Sequence, residues 1–327
     1  MSRAPLSVFI TGIAGFIGFH LASFLAKRGD YVIGCDNFND YYSPKLKKER
    51  AALLKKSNVE VIRCDIAALS TLQPLFQERQ FSHCVHLAAQ AGVRTSLTRP
   101  HLYQKSNLEG MLHVLEMCRA FQPMALLFAS SSSVYGDAAR AGPCSEKMPT
   151  DHPRSFYAAT KKAGEVLAAS YAHLYQIPTT VLRFFTTYGP WGRPDMACLT
   201  FAEAITAGKP VHLFNRGEMA RDFTYIDDTV RGIVSAMDRC KKGYDLYNLG
   251  HGRCTSLLSL VQCLEKSLGK KARCTLLPMQ PGDVTTTWAD MAKTEKELNF
   301  TCTTPLERGI DQFVQWYLSF SSLLCEA

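Results

Sequence analysis

Thr11-Gly12-Ile13-Ala14-Gly15-Phe16-Ile17-Gly18 stands between a short apolar run, Val8 to Ile10, and a helical pattern with Ile17, Leu21, Phe24 and Leu25 on one face. Glycines in a strand-to-helix turn let the backbone approach a pyrophosphate and set it at the positive end of the helix. The spacing is G-x-x-G-x-x-G rather than G-x-G-x-x-G, and alone it describes a tight turn without a ligand equally well. The helix is expected to stop at Lys27-Arg28, just before Gly29.

Outward from this turn, short β-branched runs recur at Tyr31 to Cys35, Val59 to Arg63, Cys84 to Leu87, Ala125 to Ala129 and Thr179 to Arg183, each separated by a helical pattern. That alternation predicts an α/β chain with a doubly wound parallel Rossmann sheet covered on both faces. Beyond Arg183 the rhythm loosens, with a helix near Thr200 to Ala207 and a last one over Leu306 to Phe320. The division expected is a dinucleotide-binding domain over 1–183 and a smaller C-terminal substrate-binding lobe over 184–327. Phe223 to Ile226 and Leu246 to Leu249 are each candidates to return to the large sheet.

The second run ends at Asp36-Asn37, 18 residues past Gly18. A carboxylate there can accept hydrogen bonds from an adenosine ribose and repel a 2′-phosphate, which selects NAD over NADP. Tyr157 and Lys161 lie four apart in an amphipathic segment from Pro153 to Tyr175, so they share one helix face. An ammonium beside a phenol favours the phenolate and is expected to lower the tyrosine pKa. The serine tract Ser130 to Ser133 closes the fifth run, at the carboxyl end of a strand where such sheets bind ligands.

At 327 residues and 46% hydrophobic, with 20% charged, the chain can bury a core, which excludes wholesale disorder. Its net charge is +8, and part of the excess forms the run Lys45, Lys47, Lys48, Arg50, Lys55 and Lys56. Leu46, Leu53 and Leu54 interleave with it, which reads as a solvated helix face rather than a nucleic-acid surface. The 12 cysteines come no closer than Cys254 and Cys263, so no zinc or redox pair is spelled out, and they read as reduced core thiols. His83 and His86 fall on opposite sides of a strand, so no metal site is expected. No apolar stretch approaches a membrane span, and Met1 to Pro5 lacks the basic and apolar regions of a signal peptide, so the expected location is cytoplasmic.

The glycine turn, Asp36, Ser131 ahead of Val134-Tyr135-Gly136, and Tyr157-Ala-Ala-Thr-Lys161 resemble, in order and spacing, the extended short-chain dehydrogenase/reductase family of nucleotide-sugar enzymes. More narrowly, His86-Leu-Ala-Ala-Gln-Ala-Gly-Val-Arg94, Ser130 to Gly136, Arg183-Phe-Phe-Thr-Thr-Tyr-Gly-Pro-Trp-Gly-Arg-Pro-Asp-Met196 and Arg221-Asp-Phe-Thr-Tyr-Ile-Asp-Asp228 are similar to UDP-glucuronate 4-epimerases. The resemblance covers essentially the whole chain. It implies bound NAD, a UDP-sugar substrate, a 4-keto intermediate and a homodimer formed through helices near Leu102 to Ala120 and Pro153 to Tyr175.

The resemblance also implies residue roles. Tyr157 takes the proton of the sugar 4-OH, Ser131 bonds the same oxygen, and Lys161 holds the nicotinamide ribose. Gly12, Gly15, Phe16, Ile17, Gly18, Asp36 and Asn37 hold the cofactor, with Asp65 and Ile66 at the adenine and Leu87, Ala88 and Ala89 beneath it. Ser132, Ser133 and Thr186 take the substrate carboxylate, with Arg193 close by; Arg94, Arg221 and Asp283 take the diphosphate side. Related 4,6-dehydratases carry Asp-Glu, and uronate decarboxylases a glutamate, where this chain has Ser132 and Ser133. The family often has an arginine three residues before Asp283, and this chain has Gln280. The alternatives are a UDP-galactose or UDP-N-acetylhexosamine 4-epimerase, a UDP-glucuronate decarboxylase, and an NAD-binding regulatory or scaffold protein without chemistry.

Overall fold

The computed structural model describes residues 4–324, apart from the side chains at 140, 141 and 321–324; the start of the Met1 to Pro5 segment lies outside it. The first half runs β1 (Ser7–Thr11), α1 (Phe16–Arg28), β2 (Tyr31–Asp36), α2 (Pro44–Lys56), β3 (Glu60–Arg63), α3 (Leu69–Gln77) and β4 (His83–His86). It continues through the short α4 (Val93–Thr98) and α5 (Pro100–Tyr103), then α6 (Gly110–Phe121), β5 (Ala125–Ser131), α7 (Phe156–Tyr175), β6 (Thr179–Phe184) and β7 (Thr186–Tyr188). Strand Tyr244–Leu249, β6, β5, β4, β1, β2 and β3 lie side by side in that order as one seven-stranded sheet, and every pairing is parallel. Chain order reverses at β1, so the carboxyl ends of β1 and β4 frame the crevice where such sheets take ligands.

Local chemistry sets the elements around that crevice. α1 starts without a side-chain cap, its first turn holds no acidic residue, and Gly29 ends it in the left-handed region at φ 92°. α7 starts where the Ser155 hydroxyl accepts the Ala158 N–H at 3.1 Å. The helix packs on β5 through Gly164, where a Cβ would come within 2.6 Å of the Phe128 ring.

Leu246 to Leu249 does return to the large sheet, inside the strand that pairs with β6. Phe223–Tyr225 does not. It pairs in parallel with β7 as a separate two-stranded ribbon, because β7 continues the chain beyond β6 and carries it off the sheet. In the same region Ala220–Arg221 lies between Thr255–Ser256 and Thr286–Thr287, and Pro210–Leu213 pairs with Arg273–Leu276.

The basic run on α2 is only partly solvated. Lys47 and Arg50 are buried, at 5% and 0% exposure. Arg50 reaches inward to Ala14 O at 3.1 Å in the glycine turn, and on the other side to Trp191 O at 2.5 Å and Gly192 O at 3.2 Å. Burial of a guanidinium is tolerable here because backbone carbonyls and the Tyr42 hydroxyl at 2.7 Å accept protons from both terminal nitrogens. Among the described residues no helix is long and apolar enough to cross a membrane.

Candidate active site

A cavity of about 880 Å³ opens at the carboxyl ends of the central strands, walled on its other side by residues that follow β6. Every cofactor, catalytic and substrate residue singled out in the sequence lines it. At its floor, Gly12 has φ +72°, and a Cβ there would lie 2.8 Å from the Ala88 amide nitrogen, so only glycine lets β1 and β4 meet. The first turn of α1 leaves the Phe16 and Ile17 amides without intrahelical acceptors, aimed at the cavity, with no carboxylate to oppose an anion.

The adenosine end is walled by Asp36, Asn37, Asp65 and Ile66. Asp36 is buried and accepts the Phe38 N–H at 2.8 Å; burial raises its pKa, and Lys47 nearby works against that. Lys47 faces the same space, with its Nζ on Asn39 O at 3.0 Å and on Asn39 Oδ1 at 2.6 Å. Nothing in the charge run distinguished Lys47 from its neighbours on α2. A dinucleotide diphosphate fits this chain's glycine cradle and free amides, and an adenosine ribose fits the Asp36 end.

At the other end β5 delivers Ser131 and α7 delivers Tyr157 and Lys161. Ser131 Oγ accepts the Ser133 N–H at 3.2 Å and lines the cavity together with Tyr157, whose phenol it pulls down. Lys161 Nζ donates to Ala129 O at 2.8 Å and lies 5.1 Å from the centre of the Phe128 ring. Burial pulls Lys161 down to about 7, against the pull of Glu165. The Tyr157 phenol is raised rather than lowered: burial dominates, and Ser131 and Arg193 only partly offset it. Lys161, pulled down to about 7, is already neutral where this phenol ionises, so its expected lowering of the Tyr157 pKa is absent here.

Ser132, Ser133 and Thr186 present three hydroxyls to the cavity beside Ser131. Arg193 does not point there as a free cation. Its Nε donates to Asp195 Oδ1 at 3.0 Å, and Asp195 Oδ2 accepts the Tyr41 hydroxyl at 3.0 Å, which ties the loop after β2 to the loop after β7. Asp195 and Tyr41 carry no motif that would have drawn them out of the sequence. Farther out, Arg94 meets Asp283 at 3.0 Å and covers the Phe214 ring, while Arg221 is braced on Ala220 O at 2.8 Å and Thr285 O at 3.0 Å.

His86 Nδ1 bonds Thr11 Oγ1 at 2.7 Å and His83 Nδ1 bonds Ser82 Oγ at 2.9 Å, so the two rings serve different neighbours. Among the described residues no cluster could hold a metal ion.

The model of the NAD dependent epimerase/dehydratase family matches residues 8–250. UDP-glucuronate 4-epimerase 4 of Arabidopsis thaliana is 46% identical over 97% of this chain and 76% of its own length. Protein CapI of Staphylococcus aureus is 42% identical over 96% of this chain and 99% of its own. The crystal structure of UDP-glucuronic acid 4-epimerase from Bacillus cereus in complex with UDP-glucuronic acid and NAD superposes with a TM-score of 0.90 at 35% identity, covering 96% of this chain and 99% of that one. With the glycine cradle, the crevice at β1 and the serine, tyrosine and lysine in one cavity, these likenesses establish that the chain belongs to the NAD dependent epimerase/dehydratase family.

Proposed function

We propose that the protein converts UDP-glucuronate to UDP-galacturonate by epimerisation at C4, using bound NAD. The observation that carries this reading is the joining of two groups in one cavity: Ser131, Tyr157 and Lys161, and beside them the hydroxyls of Ser132, Ser133 and Thr186. Relatives named for the same reaction, and one crystallised with UDP-glucuronic acid and NAD, support it.

NAD, when bound, supplies the uptake and return of a hydride at the sugar C4, leaving no net redox change. Tyr157 Oη takes the 4-OH proton and later returns it. Ser131 Oγ bonds the same sugar oxygen, and Lys161 holds the nicotinamide ribose and, when charged, favours the phenolate. The 4-ketone of a glucuronate is a β-keto acid, which loses carbon dioxide when its carboxylate bond lines up with the carbonyl π system. Ser132, Ser133 and Thr186 hold the carboxylate away from that alignment, each hydrogen bond contributing about 1 kcal/mol or somewhat more to a charged acceptor. Arg193 backs that end, and Arg94, Arg221 and Asp283 take the diphosphate and its ribose.

A cytoplasmic homodimer is part of the same reading. Every described cysteine is free, as suits a reducing compartment. Leu102, Leu112, Val166 and Leu174 are exposed apolar residues on α5, α6 and α7, as suits a pairing of two copies through those helices. Incubation of purified protein with UDP-glucuronate or UDP-glucose, with products identified by NMR, tests the activity. UDP-galacturonate from the first and little turnover of the second is expected; the reverse preference would overturn the substrate. Sedimentation of wild type against Val166→Glu tests the dimer, and a monomeric wild type would refute it.

A further inference from the structure

α7 meets the end of β5 at three successive rungs of one helix face. Tyr157 lines the cavity beside Ser131, Lys161 Nζ donates to Ala129 O at 2.8 Å, and Glu165 Oε1 accepts from Ser130 Oγ at 2.5 Å. Glu165 is 2% exposed and is clamped by Arg183 of β6, whose Nε and Nη2 donate to its two oxygens at 2.8 and 2.7 Å. Proton transfer at the sugar makes no use of this carboxylate. A buried ion pair is also poor ground for stability, because apolar replacements are often no less stable. Two charges kept beneath a catalytic helix therefore call for another reason.

We propose that Glu165 is a positioning residue for the epimerase reaction: it anchors Ser130, and so the direction of Ser131, and its negative charge keeps Lys161 protonated, with Arg183 holding it in place. The inference rests on the epimerase reading above. Lys161 is pulled towards neutrality by burial, and Glu165 is the group that opposes this. The other surroundings do not take over that role. His86 of β4 is held neutral by burial and by Lys161 itself, its pKa lowered to about 3. Tyr244 of the edge strand is raised by burial and by Glu165, so it stays a neutral phenol. Lys162 sits 3.7 Å from Glu165, and Arg183 stacks 4.7 Å from the Tyr135 ring; both cations lie on the side of Glu165, not of a second anion.

Three variants test this in the purified protein. Glu165→Gln keeps an acceptor for Ser130 and removes the charge. Glu165→Gln/Arg183→Met leaves no unpaired buried charge, which guards against a fold failure of the first. Glu165→Asp restores the charge.

The first readout is the pH dependence of Lys161 acetylation by acetic anhydride, resolved by peptide mass spectrometry, which needs no turnover. The second is the alkaline limb of kcat with UDP-glucuronate. In both Gln variants the midpoint for Lys161 and the alkaline limb should move down by about one pH unit, with kcat at pH 8 reduced about tenfold. KM for UDP-glucuronate should change much less than kcat. Glu165→Asp should return both midpoints towards wild type. Folded Gln variants with an unmoved labelling midpoint, or with kcat lowered equally at every pH, would overturn the proposal, since a merely structural role predicts that pattern. A wild type that fails to turn over UDP-glucuronate overturns the substrate reading alone; a shifted labelling midpoint in the variants then still supports the hold of Glu165 on Lys161.

Discussion

Tyr157 is a phenol whose burial favours the protonated form, with Ser131 and Arg193 pulling the other way. Removing only its oxygen isolates proton transfer, so Tyr157→Phe should lower epimerisation by about 10²-fold or more while NAD and UDP-sugar still bind. Retention of most activity would mean another base. Thr186→Ala and Ser133→Ala address the carboxylate instead. Each should cost about 1–2 kcal/mol in barrier and raise the ratio of carbon dioxide released to epimer formed. An unchanged ratio in both, with UDP-glucuronate still turned over, would put the carboxylate elsewhere, with Arg193 the next candidate. At this scale Tyr157, Lys161 and the serine tract were legible because spacing four on a helix and position at a strand end specify direction. Lys47, Asp195 and Glu165 were not, because their partners come from residues distant in the chain: Asp36 for Lys47, Tyr41 for Asp195, and Arg183 for Glu165.

Two elements, α7 and β5, carry the reacting groups, and their separation is set at Gly164 against Phe128. We predict that Gly164→Ala, which leaves the helix backbone unstrained but inserts a methyl group where 2.6 Å is available, lowers stability by about 1–3 kcal/mol through overpacking. It should also lower kcat, because Tyr157 and Lys161 shift together against Ser131. Thermal unfolding and kinetics of the one variant check both, and a wild-type midpoint with wild-type kcat would count against this packing. α2 shows how the same kind of element escapes a periodicity argument. Its apolar stripe was evident, yet Arg50 turns inward because carbonyls of residues 14, 191 and 192 converge on it.

For the whole molecule, acid should be more damaging than the net charge suggests. Burial lowers His20 to about 4 and His86 to about 3. In the unfolded chain an imidazole titrates near 6.5, so between these values the unfolded state binds more protons. The stabilisation is therefore full above pH of about 6.5 and is lost progressively as the pH falls from there towards the lowered values. We predict a loss of about 2 kcal/mol per histidine between pH 6.5 and 5. Asp36 and Asp222, raised by burial, act in the opposite sense, so the share of one ring is read by difference. Urea midpoints at the two pH values should fall less in His86→Asn than in wild type, and an equal fall would show that His86 is not part of the acid limb.

By itself the sequence determined the parallel sheet, the glycine cradle at β1 and the face shared by Tyr157 and Lys161. Each follows from local rules: run length and β-branching, the space a missing Cβ leaves, and 3.6 residues per turn. Tertiary structure alone decided that Phe223–Tyr225 pairs with β7 while Tyr244–Leu249 joins β6. It also decided that Lys47 and Arg50 face inward, that Arg193 is paired with Asp195, and that the Tyr157 phenol is raised. These outcomes depend on burial and on partners brought together from distant stretches of chain. Side-chain spacing fixes the direction of a group, but the charge and hydrogen-bonding of that group are set by what packing places against it.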